Sequence, residues 1–445
     1  MNTPSEALLT DLYQLTMLQG YFEQRMNETA VFEFFVRRLP PKRNFLIAAG
    51  LEQVLEFLEG FHFSEEDIAW LGTQKNFHPE FLEFLKDLRF TGDVDAMPEG
   101  TLVFANEPLI RITAPMPVAQ FIETRLINLL QFQTMIASKA ARSVLVAPGK
   151  GLAEFGLRRA HGAEAGLLAA RACYIAGFTS TSNVLAGKKF GIPISGTMAH
   201  AFIQSHEVEE DAFLHFARSN RDNVVFLIDT YNTERGAEKV VKLAPQLKAE
   251  GIQIRGVRLD SGDMATLSKR VREILDRGGL QEVKILASGN IEEEELRRML
   301  SAGAQIDGFG IGTRLATSWD FPYLECAYKL QEYDGRSTRK YSEGKVTWPG
   351  RKQVFRSLDS AGKMNGDTLA LINEALPGEA LIQPVMREGK RVQAKPACSE
   401  MREYCLHQLS RLPETLTQLE PTEYPVHISE GMNDLVARLE RDRRS

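Results

Sequence analysis

Short apolar runs alternate with longer amphipathic ones through the middle of the chain. Residues 225–229 (VFLID), 252–259 (IQIRGVRL), 283–287 (VKILA) and 306–310 (IDGFG) are apolar, mostly β-branched segments whose starts lie 27, 31 and 23 positions apart. Between them, apolar residues recur at helical spacing over 236–250, 264–278 and 291–302. Strand, helix, strand at this interval is a βαβ unit, whose right-handed crossover requires a parallel sheet. Four such strands in series favour an α/β fold closed as a (β/α) barrel. An open doubly wound sheet is the competitor, because eight clean units cannot be counted.

The flanking parts read differently. Leu8, Leu12, Leu15 and Leu18 predict a helix with Thr10 or Asp11 as its cap. Residues 30–36 (AVFEFFV) predict a strand that stops at Arg37-Arg38 and the Pro40-Pro41 turn. Residues 93–117 hold four prolines and predict short strands, while 118–139 predict one long helix. After about Arg356 the pattern turns irregular and ends in a charged helix. The expected organisation is an N-terminal α+β domain at 1–117, a catalytic α/β barrel at 118–356, and a C-terminal segment at 357–445 packing with the N-terminal domain.

Composition narrows the function class without naming one. The 445 residues are 43% hydrophobic and 25% charged, as in an ordinary globular protein. Lys plus Arg number 53 against 59 Asp plus Glu, a net charge of −6. That balance argues against a general nucleic-acid or anionic-membrane binder. No run of 18 apolar residues and no basic-then-apolar N-terminal segment is visible, so neither a membrane helix nor a secretory signal is expected. Four scattered cysteines fit a reducing, cytoplasmic compartment. Cys398, Cys405 and His407 lie close together but lack a fourth ligand at zinc-finger spacing, so buried thiols on a helix are expected rather than a metal site.

In parallel β/α folds the reactive residues follow the strands. Those positions here read DTYNTERG, RLDSGDM, ASGN and GFGIGT. Ser288-Gly289-Asn290 and Gly310-Ile311-Gly312-Thr313 predict a phosphate cradle, in which glycine lets main-chain N–H groups approach an anion. The alternative is that they only permit tight turns. Arg258 and Asp260 are two apart on a strand and share a face, suited to a sugar diol, a divalent ion or a structural ion pair. Phe155 offers a ring to stack on a planar ligand, and Arg158 a cation for a carboxylate or phosphate. His200, flanked by small residues, suits an acid/base group, a metal ligand or a phosphoryl acceptor, or else a satisfied core residue. Lys340, Lys345, Arg351 and Lys352 form a basic stretch that either meets phosphates or is a solvated face.

Taken together these segments resemble the nicotinate phosphoribosyltransferases of the type II phosphoribosyltransferase group. The resemblance runs in consistent order from Leu9-Thr10-Asp11-Leu12-Tyr13 through VFEFFVRRLP, EFGLRRAHG, GTMAHAF, LIDTYNTERG, VRLDSGD, ASGNI and DGFGIGT to SEGKVTWPGRKQVFR, residues 342–356. It implies an irregular (β/α) barrel with a second, β-rich α+β domain built from both chain ends. It also implies transfer of a phosphoribosyl group from 5-phosphoribosyl 1-diphosphate to nicotinate, coupled to ATP, with Mg²⁺ on the diphosphate or ATP, as the first step of NAD salvage. His200 matches the transiently phosphorylated histidine, Phe155 and Arg158 the pyridine-binding residues, and Arg258 and Asp260 the pair near the ribose. Gly289, Gly310, Gly312 and Thr313, with Ser288 and Asn290, match the 5′-phosphate cradle. Tyr13 and Arg37 match residues contributed across a homodimer, one stacking on the ring and one meeting diphosphate.

Ser180 bears on substrate choice. Nicotinamide-using relatives are expected to carry an aspartate near this position, which accepts from a carboxamide but repels a carboxylate, whereas serine donates to one. An ordinary helix-cap serine is the alternative. Nicotinamide phosphoribosyltransferase is therefore the nearest rival, and quinolinate phosphoribosyltransferase a more distant one that is not expected to need the GTMAHAF histidine. A non-catalytic phosphate-binding barrel would explain the glycine loops but leaves Arg158, His200 and Asp260 without a shared purpose.

Overall fold

A computed structural model describes residues 6–341 and 347–444. Most of the SEGKVTW segment, Lys345 included, lies outside the described residues. The chain divides into two compact units: one runs up to Ser138 and resumes at Tyr323, and the other covers Lys139–Pro322. These edges fall at 138 and 322, where the sequence suggested 117 and 356.

The inner unit is the α/β part. Six strands form an all-parallel sheet in the spatial order Ser180–Thr181, Gly151–Glu154, Gly308–Ile311, Lys284–Ser288, Ile254–Leu259, Val224–Leu227. The helices Thr233–Ala249, Met264–Arg277 and Glu293–Ser301 make the crossovers between its last four strands. Their buried residues fall on one stripe, such as Val240, Leu243 and Leu247, or Ser268, Val271 and Leu275. Alternate strand residues (Gly151 and Ala153, Lys284 and Leu286, Gly308 and Gly310) line a common cavity, so the sheet curls into a half-barrel. This is the irregular barrel expected. The four strands legible in the sequence are all present, shifted by one or two residues, and two further short strands join them.

In the other unit, the buried strand Thr29–Val36 lies inside a seven-stranded sheet, antiparallel to Pro108–Pro115 on one side and to Cys326–Tyr333 on the other. Gln383–Arg387 pairs with Asp93–Ala96 in the same sheet, so both chain ends build it. A four-stranded sheet, ordered Glu379–Ala380, Lys352–Leu358, Met364–Leu371, Val426–Ile428, is drawn entirely from the C-terminal part. The helix expected over 118–139 is interrupted at Ile122, giving Met116–Phe121 and Glu123–Val146. Cys398 and Cys405 are buried on the helix Cys398–Ser410 and are not joined in a disulfide, with His407 exposed. Among the described residues no helix is long and apolar enough to cross a membrane.

The basic stretch is neither a phosphate contact nor a solvated face at Lys352. This side chain is buried, 2.7 Å from the fully buried Glu33 carboxylate, and donates to Gln331 and to the Trp348 and Gly350 carbonyls. Arg351 pairs with Glu332 at 2.6 Å. A second buried pair fixes the C-terminal sheet. Arg356 grips Asp367 through Nε and Nη2, at 2.9 and 2.5 Å, and both side chains are fully buried. The Tyr424 hydroxyl also donates to Asp367, at 2.9 Å.

Breaking a buried pair by removing one member costs about 3–5 kcal/mol, and Glu107, another acid acting on Arg356, offsets part of that loss. Asp367→Asn should therefore lower the thermal unfolding midpoint markedly, whereas Glu65→Gln on an exposed helix end should leave it nearly unchanged. Calorimetry on the two variants checks this.

Candidate active site

The carboxyl ends of the half-barrel strands meet at a distance only glycine allows. Strand Gly151–Glu154 runs beside Gly308–Ile311, and the Phe155 N–H continues the ladder to the Ile311 carbonyl at 2.8 Å. A Cβ on Gly310 would lie 2.5 Å from the Phe155 ring, and one on Gly312 would lie 2.6 Å from the Phe155 carbonyl oxygen. Gly289 has φ +98°, and a Cβ there would stand 2.3 Å from the Asp260 carbonyl oxygen. Asn290, at φ +50°, continues the left-handed turn. The following helix begins at Glu293, two residues later than the sequence pattern suggests.

Glu154 locks this junction. Its buried carboxylate accepts the Gly156 N–H and, at 2.6 Å, the Thr181 hydroxyl. It thereby ties the Phe155 turn to the short strand carrying Ser180. Burial raises its carboxyl above the usual carboxylate range, and the two hydrogen bonds oppose that only in part.

His200 stands at the first residue of the helix His200–Gln204. Its Nδ1 is 3.1 Å from the Thr230 hydroxyl, and its Nε2 is 4.0 Å from Asp229 and 3.9 Å from Asp260. The Asp229 side chain is buried and braces the loop after strand Ile254–Leu259: one oxygen accepts the Asp260 N–H at 2.9 Å and the Ser261 hydroxyl at 2.7 Å. Its other oxygen is buried without a hydrogen-bond partner. Asp260 in turn accepts the Ser288 hydroxyl, linking two strand ends. Arg258 donates through Nη2 to the Met198 carbonyl at 2.6 Å. Burial pushes its guanidinium below the ordinary arginine value, Asp260 and Asp229 pull it back up, and Arg158 lowers it again.

Most residues singled out from the sequence come together here. His200, Arg258 and Asp260 line one cavity of about 660 Å³ with Phe155 and Arg158. The same cavity takes in Ser288, Gly289 and Asn290 on one side and Gly310, Gly312 and Thr313 on another. Ser180 lines an adjoining cavity of about 440 Å³ that shares Phe155, Arg258 and Gly310. Tyr13 and Arg37 belong to the other compact unit. Tyr13 is half exposed on the helix Leu12–Glu23, and Arg37 follows strand Thr29–Val36 with its guanidinium 5.4 Å from the Phe35 ring. Sequence reasoning assigned no role to Glu154, Asp229 or Thr230. All three sit at or just after strand ends, which is the signal that marks them.

Known proteins match this chain over nearly its whole length. Models of the nicotinate phosphoribosyltransferase N-terminal domain, the family itself and its C-terminal domain match residues 8–131, 151–340 and 378–436. Nicotinate phosphoribosyltransferase pncB2 of Mycobacterium tuberculosis is 47% identical over 436 residues, 97% of this chain and 94% of its own length. The chain belongs to the nicotinate phosphoribosyltransferase family. The family member of Bacillus subtilis is 40% identical over 96% of this chain and 93% of its own. The crystal structure of human nicotinic acid phosphoribosyltransferase superposes with a TM-score of 0.87 at 31% identity, covering 97% of this chain and 99% of that one. Nicotinate-nucleotide pyrophosphorylase from Pyrococcus furiosus superposes at 0.75 with 25% identity, over 92% and 97% of the two chains.

The raised Glu154 carboxyl has a measurable sign. The folded chain holds this proton more tightly than the unfolded chain, so stability falls as pH rises from the usual carboxylate range through the raised value. Glu154→Gln has no proton to lose there. Thermal midpoints of the two proteins between about pH 4.5 and about pH 8 should therefore shift in the variant's favour as pH rises. Parallel curves would show that Glu154 titrates normally.

Proposed function

We propose that the chain transfers the phosphoribosyl group of 5-phosphoribosyl 1-diphosphate to nicotinate. The products would be nicotinate mononucleotide and diphosphate, as the first step of NAD salvage in the cytoplasm, with ATP hydrolysis coupled through a phosphohistidine. One observation carries this reading within the family: His200, Arg258, Asp260, Phe155, Arg158 and both glycine loops line one cavity.

The chemistry needs positioning more than a covalent nucleophile. Diphosphate leaves the anomeric carbon through an oxocarbenium-like state, so the ring nitrogen must be held in line while charge builds on the leaving group. Phe155 stacks on the pyridine ring and Arg158 helps to hold the ligand beside it. Arg258 and Asp260 stand near the ribose, with Arg258 also bordering the cavity that contains Ser180. Ser288-Gly289-Asn290 with Gly310, Gly312 and Thr313 hold the 5′-phosphate through main-chain donors. Ser180 donates to the nicotinate carboxylate. In a homodimer, Tyr13 of each copy stacks on the ring in the neighbouring site and Arg37 meets diphosphate; the exposure of Tyr13 suits this. Among the described residues no group of three His, Cys, Asp or Glu side chains is placed to hold a metal ion. Mg²⁺ would be carried mainly by diphosphate oxygens, with the unpartnered Asp229 oxygen and Asp260 as the nearby acids.

His200 has the surroundings of a phosphoryl acceptor. The two carboxylates near Nε2 favour the tautomer with its proton there, which leaves the Nδ1 lone pair facing the Thr230 hydroxyl. Nδ1 then attacks the terminal phosphorus of ATP, ADP leaves, and water later removes the phosphoryl group.

Turnover of nicotinate and of nicotinamide with 5-phosphoribosyl 1-diphosphate and Mg²⁺, with and without ATP, tests the proposal. Wild type should form only the nicotinate product and be stimulated by ATP, while His200→Ala should retain basal turnover without stimulation. Nicotinamide turnover would contradict the substrate, and ATP stimulation surviving in His200→Ala would contradict the phosphohistidine.

A further inference from the structure

The cavity that adjoins Phe155 and Arg258 has a hydroxylic polar wall. The Ser180 and Ser195 hydroxyl oxygens are 2.8 Å apart. Ser195 is held there by backbone: its N–H donates to the Thr181 carbonyl at 2.9 Å, Thr181 N–H donates to the Pro193 carbonyl at 3.0 Å, and Ile194 bridges Thr181 in parallel. The segment thus extends the edge of the sheet and places a second serine beside the first. Thr197 lines the same cavity, and its hydroxyl is buried with no hydrogen-bond partner. The Arg258 Nε is buried and unpartnered in the same way, its Nη2 being spent on the Met198 carbonyl. Buried donors left without acceptors are costly unless a ligand supplies the acceptors.

The donor count identifies that ligand. One serine hydroxyl donates to the other, leaving one O–H free. Thr197 adds a second O–H and Arg258 a cationic N–H that cannot accept. A carboxylate presents only acceptors and so suits donors of this kind. A carboxamide offers one acceptor oxygen and turns an NH₂ towards donors. Among the described residues, the one acid lining the cavity, Asp307, is at the amino ends of the strands, where it receives the Ile285 N–H at 2.9 Å and faces Lys284 at 3.6 Å.

We propose that Ser195 and Thr197 complete, with Ser180 and Arg258, the subsite that binds the pyridine carboxylate, and that they set the preference for the acid over the amide. The proposal rests on the nicotinate reading above and adds two residues to it.

The test measures nicotinate binding by titration calorimetry alongside steady-state turnover of nicotinate and nicotinamide. Both are run on wild type, Ser195→Ala, Thr197→Val and Ser195→Asp. Thr197→Val keeps the side-chain shape and so separates the hydroxyl from folding. Ser195→Ala and Thr197→Val should each weaken nicotinate binding and raise its KM about tenfold, as expected for one hydrogen bond to a charged group. Their kcat and their KM for 5-phosphoribosyl 1-diphosphate should stay within about twofold of wild type. Ser195→Asp should move the nicotinate-to-nicotinamide ratio of kcat/KM by on the order of 100-fold towards the amide. Wild-type turnover with unchanged KM and selectivity in all three variants overturns the subsite and leaves the activity standing. Nicotinate binding without wild-type turnover, weakened by the variants, overturns the activity and leaves the subsite standing. Failure of wild type to bind nicotinate overturns both.

Discussion

The close approach of backbone to backbone at the carboxyl ends of the half-barrel strands is the constraint on which the rest of the site depends. Phe155 can lie against Gly310 and Gly312 only because neither carries a side chain, and the loop at Gly289 can rest on the Asp260 carbonyl for the same reason. A methyl group at any of these points would overlap a ring or a main-chain atom by about an ångström, and packed interiors do not absorb that without moving. The same closeness brings the aromatic face, the acid and the main-chain donors of two loops into a single cavity. Glu154 sets the depth of that junction, at the cost of keeping a carboxylate in a buried place.

Charge is arranged around this scaffold in a layered way. The Asp229 side chain is buried and spends one oxygen on the loop that carries Asp260. Asp260 is more open and reaches the Ser288 hydroxyl on the next strand end. His200 stands between the two acids and Thr230, and Arg258 supplies the permanent cation on the far side. A buried brace, an accessible acid and an accessible imidazole form a set suited to handling a polyanionic substrate while keeping the loops in register.

Much of this was legible in the sequence where the signal is local. The strands at Val224–Leu227, Ile254–Leu259, Lys284–Ser288 and Gly308–Ile311 announce themselves through length, β-branching and the helices between them. The strands Gly151–Glu154 and Ser180–Thr181 are four and two residues long and carry no period to detect. Interactions between distant parts of the chain were invisible. Lys352 reads as part of a basic surface because its partner, Glu33, lies 319 positions away. Asp11 does stand at the N-cap of its helix, yet its carboxylate accepts from Thr124 rather than from the helix's own first turn. Ser195 escapes notice for a similar reason: Ser180 is brought beside it only by the pairing of residues 193–195 with Thr181 at the sheet edge.

We propose that the glycine-built mouth holds the phosphate end of a mononucleotide while Phe155 holds the ring. A crystal structure of the protein with nicotinate mononucleotide tests it most directly. The 5′-phosphate should lie within hydrogen-bonding distance of main-chain N–H groups in Ser288-Gly289-Asn290 and Gly312-Thr313, with the pyridine ring against Phe155. A phosphate bound away from both loops, or a ring that does not meet Phe155, would contradict it.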